Sequence, residues 1–197
     1  GYFGPELVQN GDFSQIGSEL ITNGDFSSGS TGWSSYGIVD ISNGIATIGA
    51  SSNSGIFQGI LTQNKSYKVT FNVLSYDGVG NAQVVNDAGT QLFGITQPGS
   101  YTFYFTHSVP QTNIIFRGTS NALLSIDNVS VKQVDPNDYW TLGTGWSFGD
   151  SKAIFNGGAD AAIQQLNVVE NGKTYKFKID VNDRTSGNLQ IRFGNAG

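Results

Sequence analysis

A nine-residue motif occurs twice near the start of this chain, and its two copies lie thirteen residues apart. Residues 6–14 read ELVQNGDFS and residues 19–27 read ELITNGDFS. A larger duplication brings TGWS back at residues 144–147 and K-(S/T)-Y-K back at residues 173–176. Each recurs roughly 110 residues after its first occurrence, which is the length of a whole small domain. The chain is therefore predicted to contain copies of one domain, and its function is expected to reside in that domain and its multiplicity.

The repeat divides the chain into one complete domain and part of a second. Residues 19–134 make the complete unit, and residues 139–197 match only its first half. Residues 135–138 (DPND) are a polar turn with proline, which favours a linker. Residues 1–18 form an N-terminal segment whose NGDFS motif has no domain of its own. We expect the chain to be part of a longer polypeptide, because half a sandwich leaves an apolar face and open strand edges.

Composition limits the class of protein. Charged residues are 13% of the chain, about half the usual share of roughly 25%, whereas hydrophobic residues are 38%. The formal net charge is -5 and Lys and Arg are not clustered, so no nucleic-acid partner is expected. No apolar run approaches the roughly 18 residues of a membrane span, so no membrane insertion is expected. The chain contains no Cys, which excludes disulfides and thiolate sites.

Nearly every apolar segment alternates apolar and polar residues and is bounded by Gly, Asn, Asp or Ser. Such alternation predicts β-strands with one buried face. The predicted strands are residues 37–41, 45–48, 54–60, 67–73, 101–106, 113–117, 124–131, 153–155, 161–166, 175–181 and 189–193. Short strands at regular spacing, without a long helical pattern, favour an all-β fold and an antiparallel β-sandwich.

Four sequence elements occur in an order that resembles jelly-roll carbohydrate-binding modules of the family 4, 9 and 22 type. The elements are NGDF at residues 23–26, GW at 32–33, YKVTF at 67–71 and IDNVSV at 126–131. The resemblance implies a jelly roll in which the first and last strands pair side by side. It covers residues 19–134 in full and residues 139–197 by half. The doubled motif and the closing SIDNVSVKQVD are also similar in style to tandem modules of phage tail fibres and other virion-surface proteins.

Modules of this type bind glycans on the concave face of a sheet or at a loop tip. Flat aromatic rings stack on the apolar faces of sugars, while polar side chains bind the hydroxyl groups. The resemblance therefore implies a glycan-binding role for the rings of Tyr36, Tyr76, Phe93 and Tyr104 and for the polar side chains of Asn72, Gln83, Asn86 and Arg117. In an alternating strand about half of such residues face the core, so some of them are expected to pack instead.

Other aromatic residues are expected to be structural. Trp33 and Trp146 both follow Thr-Gly, which predicts a shared core role, and Tyr67 and Tyr175 are also expected to pack. Trp140 has no counterpart in the first copy, which favours a position at an interface.

The resemblance also implies a structural Ca²⁺ where the first and last strands meet. Ca²⁺ takes six to eight oxygen ligands, commonly carboxylates and backbone carbonyls. Asp127 stands where such modules donate a carboxylate, and Asp25 lies on the predicted first strand near it. Ser27 stands where many of those modules carry Glu, which leaves the ligand set incomplete. The alternative is that Asp25 and Asp127 accept hydrogen bonds from turn amides.

The sequence does not favour catalysis. His107 is the only His, no G-x-S-x-G motif accompanies it, and it is expected in a solvated loop after a strand. Nearly all Asp and Glu residues lie in turn contexts, which argues against a glycosidase carboxylate pair. The chain is therefore not expected to be an enzyme.

These observations predict a non-catalytic glycan-binding or adhesion repeat of a secreted or virion-surface multidomain protein. Its expected partners are a cell-surface or extracellular polysaccharide and neighbouring subunits or repeats of the same protein, with repetition raising avidity. One alternative is a purely structural β-sandwich repeat that assembles a fibre, a capsid decoration or an extracellular filament. In that case residues 1–18 are expected to add a strand to a neighbouring subunit. A further alternative is the accessory module of a glycoside hydrolase.

Overall fold

The computed structural model describes residues 3–158 and 161–194, where the regular secondary structure consists of β-strands. The strands are β1 (Ile16–Glu19), β2 (Ser34–Tyr36), β3 (Val39–Ser42), β4 (Ile45–Ile48), β5 (Asn53–Gly59), β6 (Ser66–Tyr76), β7 (Asn81–Asn86), β8 (Gln91–Ile95), β9 (Gly99–Thr106), β10 (Asn113–Thr119), β11 (Leu124–Val134), β12 (Thr141–Leu142), β13 (Trp146–Phe148), β14 (Ala153–Phe155) and β15 (Ile163–Gln164). In that part of the chain, no helix has the length and apolar character needed to cross a membrane.

Strands β1 to β11 form two antiparallel sheets that pack face to face. The first sheet has the order β3-β4-β11-β6-β9, and the second has the order β2-β5-β10-β7-β8. Strand β1 pairs with the end of β11, where Glu19 lies opposite Lys132. Along the chain the strands pass repeatedly from one sheet to the other, as in a jelly roll. The predicted all-β antiparallel sandwich is confirmed, but the strand that pairs with β11 is β1 and not the predicted NGDF strand.

The core lies between the two sheets and follows the period-two pattern of the sequence. In β6 the side chains of Tyr67, Val69, Phe71 and Val73 are buried, while the residues between them are not fully buried. From the second sheet Phe116 meets Phe71, with ring centroids 5.2 Å apart. The alternation therefore places one face of each sheet in a shared apolar core.

Four strands of the sandwich were not predicted from the sequence. They are β1, β2, β7 and β8. Strand β7 has buried residues on both of its faces, from Ala82 to Asn86, so its sequence lacks the alternation that marks a half-buried strand. The three or four residues of β1 and β2 are too few for a pattern to emerge.

The NGDFS motif was predicted to lie on a strand, but it forms a turn in both copies. Asn10 and Phe13 have φ angles of 48° and 55°, and Asn23 and Phe26 have φ angles of 55° and 52°. In each copy the Phe N–H donates to the Asn carbonyl, at 3.1 and 3.2 Å. Because the same left-handed turn forms in two surroundings, the motif itself encodes it.

The N-terminal copy of the motif packs against the beginning of the second repeat. The Trp140 indole N–H donates to the Asn10 carbonyl at 3.0 Å, and its ring centroid lies 5.1 Å from that of Phe13. Trp33 contacts the second copy of the motif in the same way, through the Asn23 carbonyl at 3.0 Å and the Phe26 ring at 5.2 Å. Trp140 thus lies at an interface, as expected. It packs against residues 6–14 as Trp33 packs against residues 19–27.

Residues 135–138 form a packed joint and not a free linker. The buried carboxylate of Asp135 accepts hydrogen bonds from Asn10 Nδ2 at 2.8 Å and from the Trp140 amide at 2.9 Å. Asp138 forms an ion pair with Lys65 of the sandwich, with an Nζ–Oδ2 distance of 2.5 Å. These contacts join the N-terminal segment, the sandwich and the start of the second repeat.

The second repeat is built only in part. Strand β12 pairs with β15, and β13 pairs with β14, in two small sheets. The Tyr175 hydroxyl accepts the Glu170 amide at 2.8 Å, as the Tyr67 hydroxyl accepts the Thr62 amide at 2.7 Å. Residues 175–181 and 189–193, both predicted as strands, are not paired. In the first repeat the equivalent strand β6 lies between β9 and β11, whereas no strand lies beside residues 175–181 in the part of the chain that the structure describes.

Candidate functional site

One row of residues crosses the whole second sheet. Tyr36 lies opposite Gly55, Gly55 opposite Arg117, Arg117 opposite Gln83 and Gln83 opposite Gly94. Directly opposed residues of antiparallel strands project from the same face of a sheet. Three residues predicted to bind glycan, Tyr36, Gln83 and Arg117, are therefore brought together on one face.

The row lies on the outer face of the sandwich. Its chain neighbours Ile56, Val84 and Phe116 are fully buried in the core. Since successive side chains of a strand point to opposite faces, Gly55, Gln83 and Arg117 point away from the core.

The outer face is recessed at this row and not flat. Gly55 and Gln83 are buried although they face outward, and so is the adjacent Val85. The Tyr36 ring lies across Gly55, where a Cβ atom would come within 2.8 Å of the Tyr36 hydroxyl oxygen. Glycine at position 55 is therefore needed for the ring to lie flat along the sheet.

A second ring extends the aromatic side of this recess. Phe57 shares the outward face with Gly55, and its ring centroid lies 6.3 Å from that of Tyr36. Phe57 was not among the residues predicted to bind. Phe57 lies between Ile56 and Gln58, which both face the core. The alternation along the strand therefore places Phe57 on the outer face.

Arg117 supplies positive charge and an unsatisfied donor to the recess. Its Nε atom is buried and has no hydrogen-bond partner among the described residues. Burial raises the pKa of the Tyr36 hydroxyl above its ordinary value, and the nearby Arg117 charge partly opposes that rise. A buried donor without a partner is unfavourable by itself. It therefore favours a ligand or a water molecule that accepts a hydrogen bond from it.

The row and Phe57 combine chemistry suited to binding and not to bond cleavage. The rings of Tyr36 and Phe57 offer apolar surface, and the Gln83 amide and the Arg117 guanidinium offer hydrogen bonds. Such a combination fits an uncharged ligand that carries both C–H faces and hydroxyl groups.

Two of the predicted aromatic platforms have structural roles in the sandwich. The Tyr76 hydroxyl donates to the carbonyls of Val79 and Gly80, at 3.3 and 3.0 Å, and so holds the turn after β6. Phe93 faces the core, where its ring stacks on Phe103 with centroids 4.9 Å apart. Phe93 lies opposite Val84, one residue away from the outward row, so its ring is not available on the outer face.

Tyr104 and Asn72 lie on the outer face of the other sheet. The Lys68 Nζ atom lies 5.8 Å from the Tyr104 ring centroid, and a Cβ atom on Gly149 in the β13–β14 turn would lie 3.8 Å from that ring. The Asn72 Oδ1 atom accepts a hydrogen bond from the Ser100 hydroxyl at 2.7 Å. These residues lie on the opposite side of the sandwich from the row. Asn86, in contrast, is buried and accepts the Thr90 amide in the β7–β8 turn at 3.0 Å.

The two residues predicted to bind Ca²⁺ are engaged within their own turns. Asp25 Oδ1 accepts the Ser27 amide at 3.2 Å and the Ser27 hydroxyl at 2.9 Å. These bonds hold the pKa of the Asp25 carboxyl below its ordinary value. Asp127 accepts the amide and the side chain of Asn128, at 2.6 and 2.9 Å. Among the described residues no group of three or more His, Cys, Asp or Glu side chains assembles, so this donor set does not fit Ca²⁺ well.

His107 is buried, which differs from the solvated loop position expected from the sequence. Its Nε2 atom lies 2.5 Å from the Gln111 carbonyl oxygen, and its ring meets Phe105 edge-on at 6.4 Å. The loop containing Pro110 folds back over the ring, which a pattern of local polarity does not reveal. These neighbours make His107 part of the packing around the first sheet.

Comparisons with known proteins find similar solved structures. No protein-family model matches the chain. No curated protein matches it either. A solved family 22 xylan-binding domain from Paenibacillus barcinonensis is 13% identical, with a TM-score of 0.44, and the match covers 61% of this chain and 97% of that domain.

Two further solved structures are similar. The N-terminal cellulose-binding domain of β-1,4-glucanase C from Cellulomonas fimi is 19% identical, with a TM-score of 0.43 and coverage of 59% of this chain and 97% of that one. A mutant of a family 29 carbohydrate-binding module is 13% identical, with a TM-score of 0.43 and coverage of 62% and 94%.

Proposed function

We propose that the sandwich is a non-catalytic module that binds a polysaccharide along the recessed outer face of its second sheet. The observation that carries this proposal is the row in which Tyr36, Arg117 and Gln83 share one face. The aromatic side of the row offers a stacking surface for a sugar ring, and the polar side offers partners for its hydroxyl groups.

The ligand is a neutral glycan chain lying across the strands. The row spans all five strands of the second sheet, so several sugar units in succession fit along it. One guanidinium without a cluster of further cations does not make an anion site, and this disfavours phosphate-rich partners. The proposed setting is extracellular, in a secreted or virion-surface protein that carries the module in several copies and gains avidity from them.

Glycan-array binding by the full chain, displayed multivalently, tests the proposal. Tyr36→Ala and Arg117→Ala are each expected to weaken binding by roughly tenfold or more, because each removes a stacking surface or a charged hydrogen-bond donor. The matched control is Tyr104→Ala, which removes the same kind of side chain from the outer face of the other sheet. Binding that is lost with Tyr104→Ala and kept with Tyr36→Ala would place the ligand on the wrong sheet for this proposal.

Structural Ca²⁺ at Asp25 and Asp127 stays a prediction that the observed contacts do not favour. Repeating the glycan-array experiment with a Ca²⁺ chelator tests this prediction. Since both carboxylates are satisfied by turn donors, binding and thermal stability are expected to be unchanged by chelation. A fall in melting temperature that added Ca²⁺ reverses would instead establish the metal site.

A purely structural repeat is the second candidate. The observation that favours it is the tie between the N-terminal motif and the second repeat, which links repeats through Asp135 and Trp140. Electron microscopy and the solution mass of the full chain test this function. If the chain forms filaments or defined oligomers and binds no glycan on the array, assembly would be favoured over glycan binding.

A further inference from the structure

A second row of residues lies beside the row that carries Tyr36 and Arg117. Phe57 of β5 lies opposite Ile115 of β10, and Ile115 lies opposite Val85 of β7. Each of the three lies two residues along its strand from a member of the first row, so all three point to the same outer face. Phe57, Ile115 and Val85 thus form an apolar row next to a polar one.

The apolar row is separate from the core between the two sheets. Its chain neighbours Ile56, Ile114 and Val84 belong to the core cluster, whereas its own three residues do not. Val85 is fully buried, while Phe57 and Ile115 are partly exposed. Val85 therefore lies below the surface, and the other two side chains supply the apolar surface that a ligand can reach.

Polar residues enclose the apolar row. Ser34 and Gln91 pair with its two ends. Two residues from Ile115 along β10, the Asn113 amide and side chain donate to the Asp87 carboxylate at 2.8 and 2.7 Å. A strip this small is far below the roughly 800 Å² that each partner of a stable protein interface buries. It fits an apolar group on a small ligand.

The two rows together form a surface with one polar and one apolar edge. Two residues along a strand span about 7 Å, which a pyranose ring with its substituents bridges from edge to edge. The buried Nε atom of Arg117 has no hydrogen-bond partner among the described residues, and it marks the polar edge. A sugar ring across both rows therefore places one edge against hydrogen-bonding groups and the opposite edge against apolar side chains.

This asymmetry discriminates between classes of sugar. An ordinary hexose carries hydroxyl groups on both edges of its ring, so one edge places a hydroxyl against the apolar row. That hydroxyl loses water and gains no partner, which is unfavourable. A 6-deoxyhexose carries a methyl group at C5 in place of the hydroxymethyl group and keeps its hydroxyls on the opposite edge. Its methyl group gains free energy when apolar side chains bury it.

We propose that the glycan bound by this face contains 6-deoxyhexose units, with the C5 methyl group against Phe57 and Ile115. This inference rests on the proposed function and names the class of sugar. Hydroxyl groups on the opposite edge of the ring accept a hydrogen bond from Arg117 Nε and bind the Gln83 amide. The glycan chain runs along the rows, so successive units repeat the same arrangement across the strands.

Three series of sugars that differ only at C5 test the inference. Each series contains a pentopyranose, its 6-deoxyhexose and its hexose, which carry hydrogen, methyl and hydroxymethyl at C5. The series are D-xylose, D-quinovose and D-glucose; D-arabinopyranose, L-fucose and L-galactose; and L-lyxose, L-rhamnose and L-mannose. Each sugar is immobilised on a polymer, and the full chain is displayed multivalently.

The 6-deoxyhexose is expected to bind most tightly in the series whose ring configuration the face accepts. Its advantage over the pentopyranose is expected to be roughly fourfold, because one methyl group is buried. Its advantage over the hexose is expected to be roughly tenfold or more, because the hexose leaves a hydroxyl without a partner.

Ile115→Thr tests where the methyl group lies. Threonine keeps a β-branched side chain in the strand and adds a hydroxyl to the apolar row. The preference for methyl over hydroxymethyl is expected to disappear, while binding to the hexose remains. Ile45→Thr is the matched control, because Ile45 is partly exposed on the outer face of the other sheet, next to the core residue Ala46. Thermal melting shows whether both variants are folded.

Several outcomes would overturn this inference and leave the proposed function in place. Tightest binding to the pentopyranose or to the hexose is one of them. A methyl preference that survives Ile115→Thr is another, because the methyl group would then lie elsewhere. A third is a dimer that is lost with Ile115→Thr, since a second copy would then cover the apolar row. A chain that binds no glycan of any kind would overturn both proposals.

Discussion

The side-chain amide of Gln165 holds the backbone of Gln9 through two hydrogen bonds of 2.8 Å, one to its N–H and one to its C=O. The same clamp occurs in the sandwich, where Gln58 holds the backbone of Thr22 at 3.1 and 2.7 Å. Gln9 and Thr22 each precede the Asn of an NGDFS turn. The N-terminal segment thus completes the second repeat of its own chain as residues 19–27 complete the first.

The two clamps are expected to differ in their contribution to stability. Gln58→Ala removes a buried side chain and leaves the part-buried Thr22 N–H and C=O without that partner, and it should lower the free energy of unfolding by about 1–3 kcal/mol. Gln165→Ala exposes the Gln9 peptide to water, which replaces the lost bonds, and should cost less than about 1 kcal/mol. Urea unfolding followed by tryptophan fluorescence measures both. Gln63→Ala, which removes a single exposed bond to Ser108, is the control. Equal losses for Gln58 and Gln165 would contradict this explanation.

Alanine is expected to act very differently at the two motif glycines. Gly24→Ala forces a Cβ atom against the Val129 carbonyl at 1.9 Å, and relief requires β11 to move. We expect a loss of about 3 kcal/mol or more in unfolding free energy. Gly11→Ala has a side-chain methyl as its nearest neighbour and should stay within about 0.5 kcal/mol of the unmodified chain. Thermal denaturation of the pair provides the comparison. A small loss of unfolding free energy for Gly24→Ala would mean that β11 is not held at this glycine.

The ionisation of Tyr36 is expected to link stability to alkaline pH. Burial raises the pKa of its hydroxyl above 10.0 in the folded chain, so the folded state keeps a proton that the unfolded state has released. Stability is therefore full below about pH 10 and falls as pH rises through the raised folded value. Tyrosinate absorbance of the chain, compared with Tyr36→Phe, isolates this group. Arg117→Gln removes the opposing charge and should raise the pKa of Tyr36 further. A lower pKa in that variant would refute the contact.

Asp135→Asn is expected to loosen the joint between the repeats. Asp135 has a φ angle of 52°, which Asn tolerates, so the substitution tests the carboxylate and not the backbone. An amide cannot accept at both of its ends, so the bond from Asn10 or the bond from Trp140 is lost. The expected loss is about 1.5–3 kcal/mol, since both bonds are charge-assisted. A red shift of the tryptophan emission and faster amide exchange near Asn10 are the measurements. Asp150→Asn, also at positive φ but exposed, is the control and should change neither signal.

The fold was largely predictable because its signals are local. Alternation in residues 67–73 and 101–106 predicted strands of the first sheet, and both formed. Residues 175–181 were also predicted to form a strand, and their alternation is equally clear, but they are not paired in the structure. A strand needs a neighbour to receive its backbone hydrogen bonds, and among residues 3–158 and 161–194 no strand pairs with residues 175–181.

The candidate binding site was predictable only in part. The residue types Tyr, Gln and Arg follow from the chemistry of sugars, and Tyr36, Gln83 and Arg117 meet on one face. Phe93 has the same chemistry but points into the core, because its position in the pairing with Val84 sets its direction. Which of two faces a residue takes depends on the register in which its strand pairs.

By itself, the sequence determined the β-strand periodicity and the left-handed NGDFS turn, because these depend on residues within a few positions of one another. Only the tertiary structure decided which outer face is recessed and what the N-terminal motif completes. The first depends on the pairing of separate strands, such as Gly55 with Arg117, and the second depends on contacts more than a hundred residues apart, such as that of Gln9 with Gln165. Contacts at that separation are chosen by the packing of two sheets and by the buried polar groups that must be satisfied, which no local pattern encodes.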